Sequence, residues 1–192
     1  MDTTSSKEKI LQASIELFMT KGYKKTTTKL IAKEAGVNEV TIFRLFGKKK
    51  NIIEEIVYSK ISHMNALKEY FKNDVSYNLE EDLFESSLLY YNAMSKNLPF
   101  MMTLLDELGE DFERIFSVLP SYVNQTYQTY FDQMYKRGVI KEADSDFLAR
   151  SFTTMIVGIA MTKCMTNKVI ISMDSDVFIK KNVEIFAQGI TP

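Results

Sequence analysis

The side chains best suited to chemistry in this sequence of 192 residues stand close together near its start. Arg44 ends the stretch Asn38-Glu39-Val40-Thr41-Ile42-Phe43-Arg44, and its planar fork of donors matches guanine O6 and N7, with a phosphate contact as the alternative. Glu39 can accept from a cytosine amino group or fix Arg44 in place. Thr27, Thr28 and Lys29 lie upstream, and Lys48 and Lys49 lie just downstream. Hydroxyls and ammonium groups beside the free N–H groups of a helix start are the usual holders of phosphate, although Thr27 also suits a simple helix cap.

Charge supports that chemistry. Residues 1–50 hold 11 Lys and Arg against 5 Asp and Glu, a net +6, whereas the rest of the chain is net −7 within a total of −1. A basic head on an acidic body limits contact with a polyanion to the head. Enzymatic chemistry has little to work with. The single His63 and single Cys164 exclude a disulfide framework or a Cys/His zinc cluster within one chain, and neither a phosphate loop nor a Ser/His/Asp set is present. The expectation is no enzyme, no metal and no cofactor. The charged start MDTTSSKEKI lacks the apolar run of an export signal. The best candidate for a span, the uncharged apolar stretch Ser151 to Thr162, has 12 residues where a bilayer needs roughly 20, so a cytoplasmic chain with no membrane partner is expected.

The elements that position these residues are helices, because seven Gly and three Pro are too few for the many turns of a β protein. Ser5 and Glu8 form a capping box for a first helix that ends at Lys21-Gly22. The Thr26-Thr27-Thr28 cluster caps a second, which Gly36 stops. Asn38 caps a third, with Ile42, Leu45 and Phe46 turned inward and Gly47 closing it. Residues 27–46 therefore read as helix, tight turn, helix around Ala35-Gly36-Val37, and the second of the pair fits a DNA major groove about 12 Å wide. A connecting helix follows from Lys48 to about Phe71. Further helices are predicted at roughly 79–96, 99–108, 112–136, 145–166 and 175–189. The helix at 145–166 is apolar nearly all round, which suits either a central core position or, with the last helix, a four-helix seam between two copies.

From Ile10 to Ile56 the sequence resembles the TetR-type bacterial transcriptional regulators. The matching residues are Ala13, Leu17, Phe18, Gly22, Thr26-Thr27, Ile31-Ala32, Ala35-Gly36-Val37, Thr41, Phe46, Lys49 and Ile52. Asn38, Val40 and Phe43 depart from the Ser or Thr, Gly and Tyr common there. Phe43 has no hydroxyl for a phosphate, so sugar or thymine-methyl contact is its expected role. The resemblance implies an all-α chain with a helix-turn-helix DNA-binding domain over 1–50 and a ligand-binding and dimerisation domain over 51–192. It also implies a homodimer that holds a palindromic operator on double-stranded DNA, most often a repressor released by a small lipophilic effector. The alternative is a helical dimeric protein-interaction module without sequence-specific DNA binding.

In the body, aromatic and Met residues mark candidate effector contacts, namely Tyr90, Tyr91, Met94, Met101 and Met102, then Phe112, Phe116, Tyr127 and Phe131, with plain core as the competing role for each. Candidate seam residues are Phe152, Met155, Ile156 and Ile159 on one helix and Phe178, Ile185 and Phe186 on the last. The acidic run from 106 to 113 reads as a solvated helix end.

Overall fold

The computed structural model describes residues 5–63, 65–166 and 174–192, and among them the regular structure is entirely helical. The chain divides into two compact units. The first comprises Met1–Ser62 with Pro99–Ser117, and the second His63–Leu98 with Val118–Pro192.

In the first unit, local capping chemistry sets the helix ends. Helix α1 (Ser6–Lys21) opens on a capping box in which Ser5 Oγ accepts from the Glu8 N–H and the Glu8 carboxylate accepts from the Ser5 N–H. Helices α2 (Thr28–Ala35), α3 (Glu39–Phe46) and α4 (Lys49–His63) follow. Their core is a run of side chains with almost no exposure: Ile10, Leu17 and Phe18 on α1, Ile31 and Ala32 on α2, Ile42 and Phe46 on α3, and Ile52, Ile53, Ile56 and Val57 on α4. Leu45 does not join them and is 43% exposed, because Ile42 and Phe46, four residues apart, occupy the inward stripe and Leu45 falls to the side.

Residues 65–74 follow α4 as a short helix α5 (Asn65–Glu69) and a π-helical turn, Tyr70–Asp74, so the connecting helix expected to reach Phe71 changes its winding first. Helix α6 (Leu79–Leu108) runs through Pro99, where a break between two helices is predicted from sequence. The ring removes one backbone donor, but burial of Leu98, Phe100 and Leu104 on both sides of it offsets that local cost. In contrast, the single helix predicted over 112–136 is two, α7 (Glu110–Phe116) and α8 (Val118–Lys136). The Ser117 N–H closes α7 on the Glu113 carbonyl, and Pro120 sits in the first turn of α8, where a missing N–H is tolerated. Helices α9 (Ser145–Thr166) and α10 (Ser175–Ile190) complete the chain.

The second unit packs α8 against α9 and α9 against α10. Tyr127, Phe131 and Phe152 are fully buried at its centre, with ring centroids 5.1 Å apart for Tyr127 and Phe152 and 5.0 Å for Phe152 and Phe186. This corrects part of the expected dimer seam. Phe152, Ile156 and Ile159 lie inside their own chain, and Phe186 packs on Phe131 and Phe152. Met155 and Phe178 are half-buried, and Ile185 is 71% exposed. An all-round apolar helix needs cover on two sides, and here α8 and α10 supply much of it.

Asp82, near the start of α6, is wholly buried and its carboxylate is surrounded by donors. It accepts from Tyr130 OH at 2.9 Å, from the Ser76 N–H and hydroxyl at 2.9 Å each, and from Tyr70 OH at 3.2 Å. A buried carboxylate holds its charge only with such partners, so Asp82 fixes the turn at 70–76 to α8. Tyr130→Phe removes one donor and is expected to lower unfolding stability by about 1.5–3 kcal/mol, measured by urea denaturation. In the first unit, Gly22 has φ 82, and a Cβ there would crowd the Glu107 carboxylate. Gly22→Ala is therefore expected to cost about 1–3 kcal/mol, read as a lowered thermal midpoint.

Candidate nucleic-acid interface

The residues singled out for base and phosphate contact occupy α2, α3 and the start of α4. Thr27 caps α2, its hydroxyl accepting from the Leu30 N–H at 3.1 Å, and Asn38 caps α3, its Oδ1 accepting from the Val40 N–H at 2.9 Å. Between them Gly36 takes the left-handed conformation (φ 65, ψ 35), and the Val37 N–H returns to the Ala32 carbonyl at 3.0 Å. This turn, with Ala32 and Ala35 buried at the crossing, fixes the angle between the two helices.

One further bond joins them. The Thr28 hydroxyl donates to Glu39 Oε1 at 2.7 Å. One Glu39 oxygen is thus held by Thr28, and among the described residues Glu39 makes no ion pair with Arg44. Thr28 is half-buried, while Lys29 is exposed at the start of α2.

Helix α3 shows a mixed outer surface. Val40 is 70% and Phe43 51% exposed, Arg44 is exposed without an ion pair among the described residues, and Thr41 is half-buried. Inward, Ile42 is fully buried and Phe46 nearly so. An eight-residue helix thus keeps apolar anchors on one side while Val40, Phe43 and Arg44 face water.

The two lysines at the α4 start differ. Lys48 is exposed with no ion-pair partner among the described residues. The Lys49 ammonium instead donates to the Tyr23 carbonyl at 2.7 Å and the Thr26 carbonyl at 2.8 Å, and lies 3.9 Å from the centroid of the Tyr23 ring. Burial holds its pKa below the ordinary lysine value, against an opposing pull from Glu107. Lys49, expected as a phosphate clamp, thus spends two of its three donors as an internal strut. It ties α4 to the loop between α1 and α2, where Thr26 is itself wholly buried and its hydroxyl donates to the Gly22 carbonyl at 2.7 Å.

Contacts from Pro99–Ser117, within the same unit, reinforce that loop and α4. Glu107 accepts from the Lys24 N–H at 2.5 Å, Lys50 pairs with Asp111, and Arg114 pairs with Glu54 at 2.7 Å. The neighbouring cations hold the Asp111 carboxyl below its usual range, the hydrogen bond from Lys50 being the main cause. The acidic run read as a solvated helix end thus includes positioning residues. No sequence signal marks these pairs, whose partners stand 60 to 83 residues apart. Of the candidate effector residues, Met101, Met102, Phe112 and Phe116 belong to this unit, and Tyr90, Tyr91, Met94, Tyr127 and Phe131 to the second, where Tyr127 and Phe131 are core.

Among the described residues no group of three His, Cys, Asp or Glu side chains forms a metal site, and no helix is long and apolar enough to cross a membrane.

The N-terminal model of the tetR family of bacterial regulatory proteins matches residues 10–56, the span that holds α2, α3 and the α4 start. Over most of its length the chain is similar to the HTH-type transcriptional regulator YvkB of Bacillus subtilis, 26% identical over 186 residues that make up 96% of each chain. It is also similar to IcaR of Staphylococcus aureus, the HTH-type negative transcriptional regulator of the biofilm operon icaADBC, 25% identical over 142 residues, 73% of this chain and 75% of that one. The fold matches that of Bacillus subtilis FadR, solved with stearoyl-CoA, at a TM-score of 0.76 and 18% identity, covering 95% of this chain and 98% of that one. The FadR of Bacillus halodurans matches at 0.77 and 14% identity, over 98% of both. With the helix-turn-helix geometry and the matched span in agreement, residues 10–56 form a DNA-binding domain of the tetR type, on a chain similar over most of its length to an HTH-type transcriptional regulator.

Proposed function

We propose that this regulator is a homodimeric repressor that holds a palindromic operator through its two α3 helices and releases it when a small lipophilic effector binds the body. DNA contact falls to residues 1–50, within the first unit, and effector binding and dimerisation fall to residues 51–192. The observation that carries the reading is the outer surface of α3, where Arg44 is free for a guanine and Val40 and Phe43 are exposed for thymine methyls and sugar. Lys29, Lys48 and the hydroxyl of Thr41 supply flanking contacts, and Thr27 and Asn38 act as caps that hold both helices in register. Lys49 and the Thr28–Glu39 pair position these groups from behind.

A dimer also has material. Phe147 and Met165 on α9 and Val177 and Ile185 on α10 are between 48% and 71% exposed, a set of large apolar side chains a soluble monomer seldom leaves in water. An isologous pairing through α9 and α10, with Ile185, Met155 and Phe178 from the sequence set, covers them and spaces two α3 helices for half-sites about one DNA turn apart or a multiple of it. Repression agrees with the negative regulation exerted by the Staphylococcus aureus relative, and a lipophilic effector agrees with the stearoyl-CoA complex of the Bacillus subtilis neighbour.

Selection of bound fragments from random DNA, followed by titration at several salt concentrations, tests the reading. Arg44→Ala is expected to lose about 1–3 kcal/mol of discrimination at one base pair, whereas Lys48→Ala weakens all sequences alike and lowers the salt slope by about one. A flat salt response with neither substitution felt would favour the protein-interaction module. Ile185→Glu is expected to shift sedimentation from dimer to monomer and, with it, to weaken operator binding sharply. A monomeric wild type at high concentration excludes the dimer.

A further inference from the structure

Resting on the regulator reading, we propose that a cleft on the second unit, between the π-helical turn and α8, is a binding site for a small amphipathic carboxylate that acts as effector. The cleft has a volume of about 320 Å³, at the lower end of the roughly 300–1,000 Å³ of small-molecule sites. Its walls join two chemistries. Lys68 and Lys72, four residues apart and both exposed, form a cationic edge, and neither has an ion-pair partner among the described residues. Phe71 and Tyr130 form the apolar wall, their ring centroids 4.8 Å apart, with Tyr122 and Gln125 on the facing helix. A second polar pair, Thr126 and Thr129, is self-satisfied, each hydroxyl donating to a carbonyl of its own helix. Burial raises the pKa of Tyr122, with a smaller push from Glu69, a carboxylate that does not line the cleft and accepts from Asn73 at 2.8 Å.

Charge and shape together select the ligand class. Two lysines without ion-pair partners among the described residues favour an anion, and aromatic side chains lining the same cleft favour a flat apolar body attached to it. A free phosphate lacks the body, and an uncharged lipid lacks the head. The cleft is also built on mechanically informative parts. Three of its lining residues, Lys68, Phe71 and Lys72, come from α5 and the π-helical turn, and the same Tyr130 that walls it donates to buried Asp82, which holds Tyr70 and Ser76. Next in the chain, Tyr77 has a strained φ of 61 and its ring lies 3.4 Å under the Arg137 guanidinium carbon. A carboxylate that draws Lys68 and Lys72 toward α8 therefore acts on a segment whose winding is already irregular and whose hydrogen bonds to the rest of the unit converge on Asp82.

The test is calorimetric titration of the full-length chain with sodium 2-naphthoate and with its uncharged analogue 2-naphthamide. Saturable binding of naphthoate, at least tenfold tighter than naphthamide, is expected. The double substitution Lys68→Gln with Lys72→Gln is expected to erase that difference, and Lys68→Arg with Lys72→Arg to retain it. Urea midpoints of both double variants confirm that they are folded. Operator affinity is then measured with and without naphthoate, with a shift expected in the wild type and none in the Gln variant. Absent naphthoate binding, equal binding of the two compounds, or undiminished binding by the Gln variant overturns the site. Naphthoate bound through these lysines with operator affinity unchanged overturns its role as effector. Operator affinity without any naphthoate tests the regulator reading by itself, so the two can fail separately.

Discussion

The position of α3 depends on an ammonium group that points inward. Lys49 gives two of its three donors to the carbonyls of Tyr23 and Thr26 and rests on the Tyr23 ring, which in turn packs edge-on against Phe18 at 5.4 Å. A lysine partly stripped of its water is costly unless its donors are satisfied, and backbone carbonyls in a loop need donors for the same reason. Each deficit cancels the other. The result is a fixed distance between the α1–α2 loop and the start of α4, and α2 and α3 lie along the chain between those two points. Glu107, accepting from the Lys24 N–H, braces the same loop from its far side.

Much of the first unit was legible because its determinants are local. Ser5 with Glu8, Thr27, Asn38, Gly22, Gly36 and Gly47 act within four residues of themselves, and each caps or ends the helix that its type implies. Leu45 was misread because apolar character does not say which side of a helix a residue occupies, and Ile42 and Phe46 had already filled the inner stripe. The strut made by Lys49 was not legible for a different reason. Its partners are main-chain oxygens, which every residue carries and no sequence pattern advertises.

The second unit was harder to read. An all-round apolar α9 could be given two partners but not the order in which they cover it, and the structure turns Phe152 and Ile156 to its own core while leaving Phe147 and Met165 in water. Pro99 suggested a break that the surrounding burial overrode, so α6 carries a helix-breaking residue inside an unbroken helix. Asp82 looked like one more carboxylate in an acidic first turn. Its donors lie 6 to 48 residues away, and only their convergence makes it an anchor.

The exposed apolar tips of α3 bear on the thermodynamics of recognition. Counterion release from phosphates is an electrostatic gain that added salt erodes, whereas covering Val40 and Phe43 against methyl groups sheds structured water and lowers the heat capacity of the complex. A reading head built this way divides its affinity between two solvents' worth of disorder, ions and water. On the proposed reading, a preference for thymine-bearing steps weakens on cooling, while the general grip on the duplex responds to ionic strength.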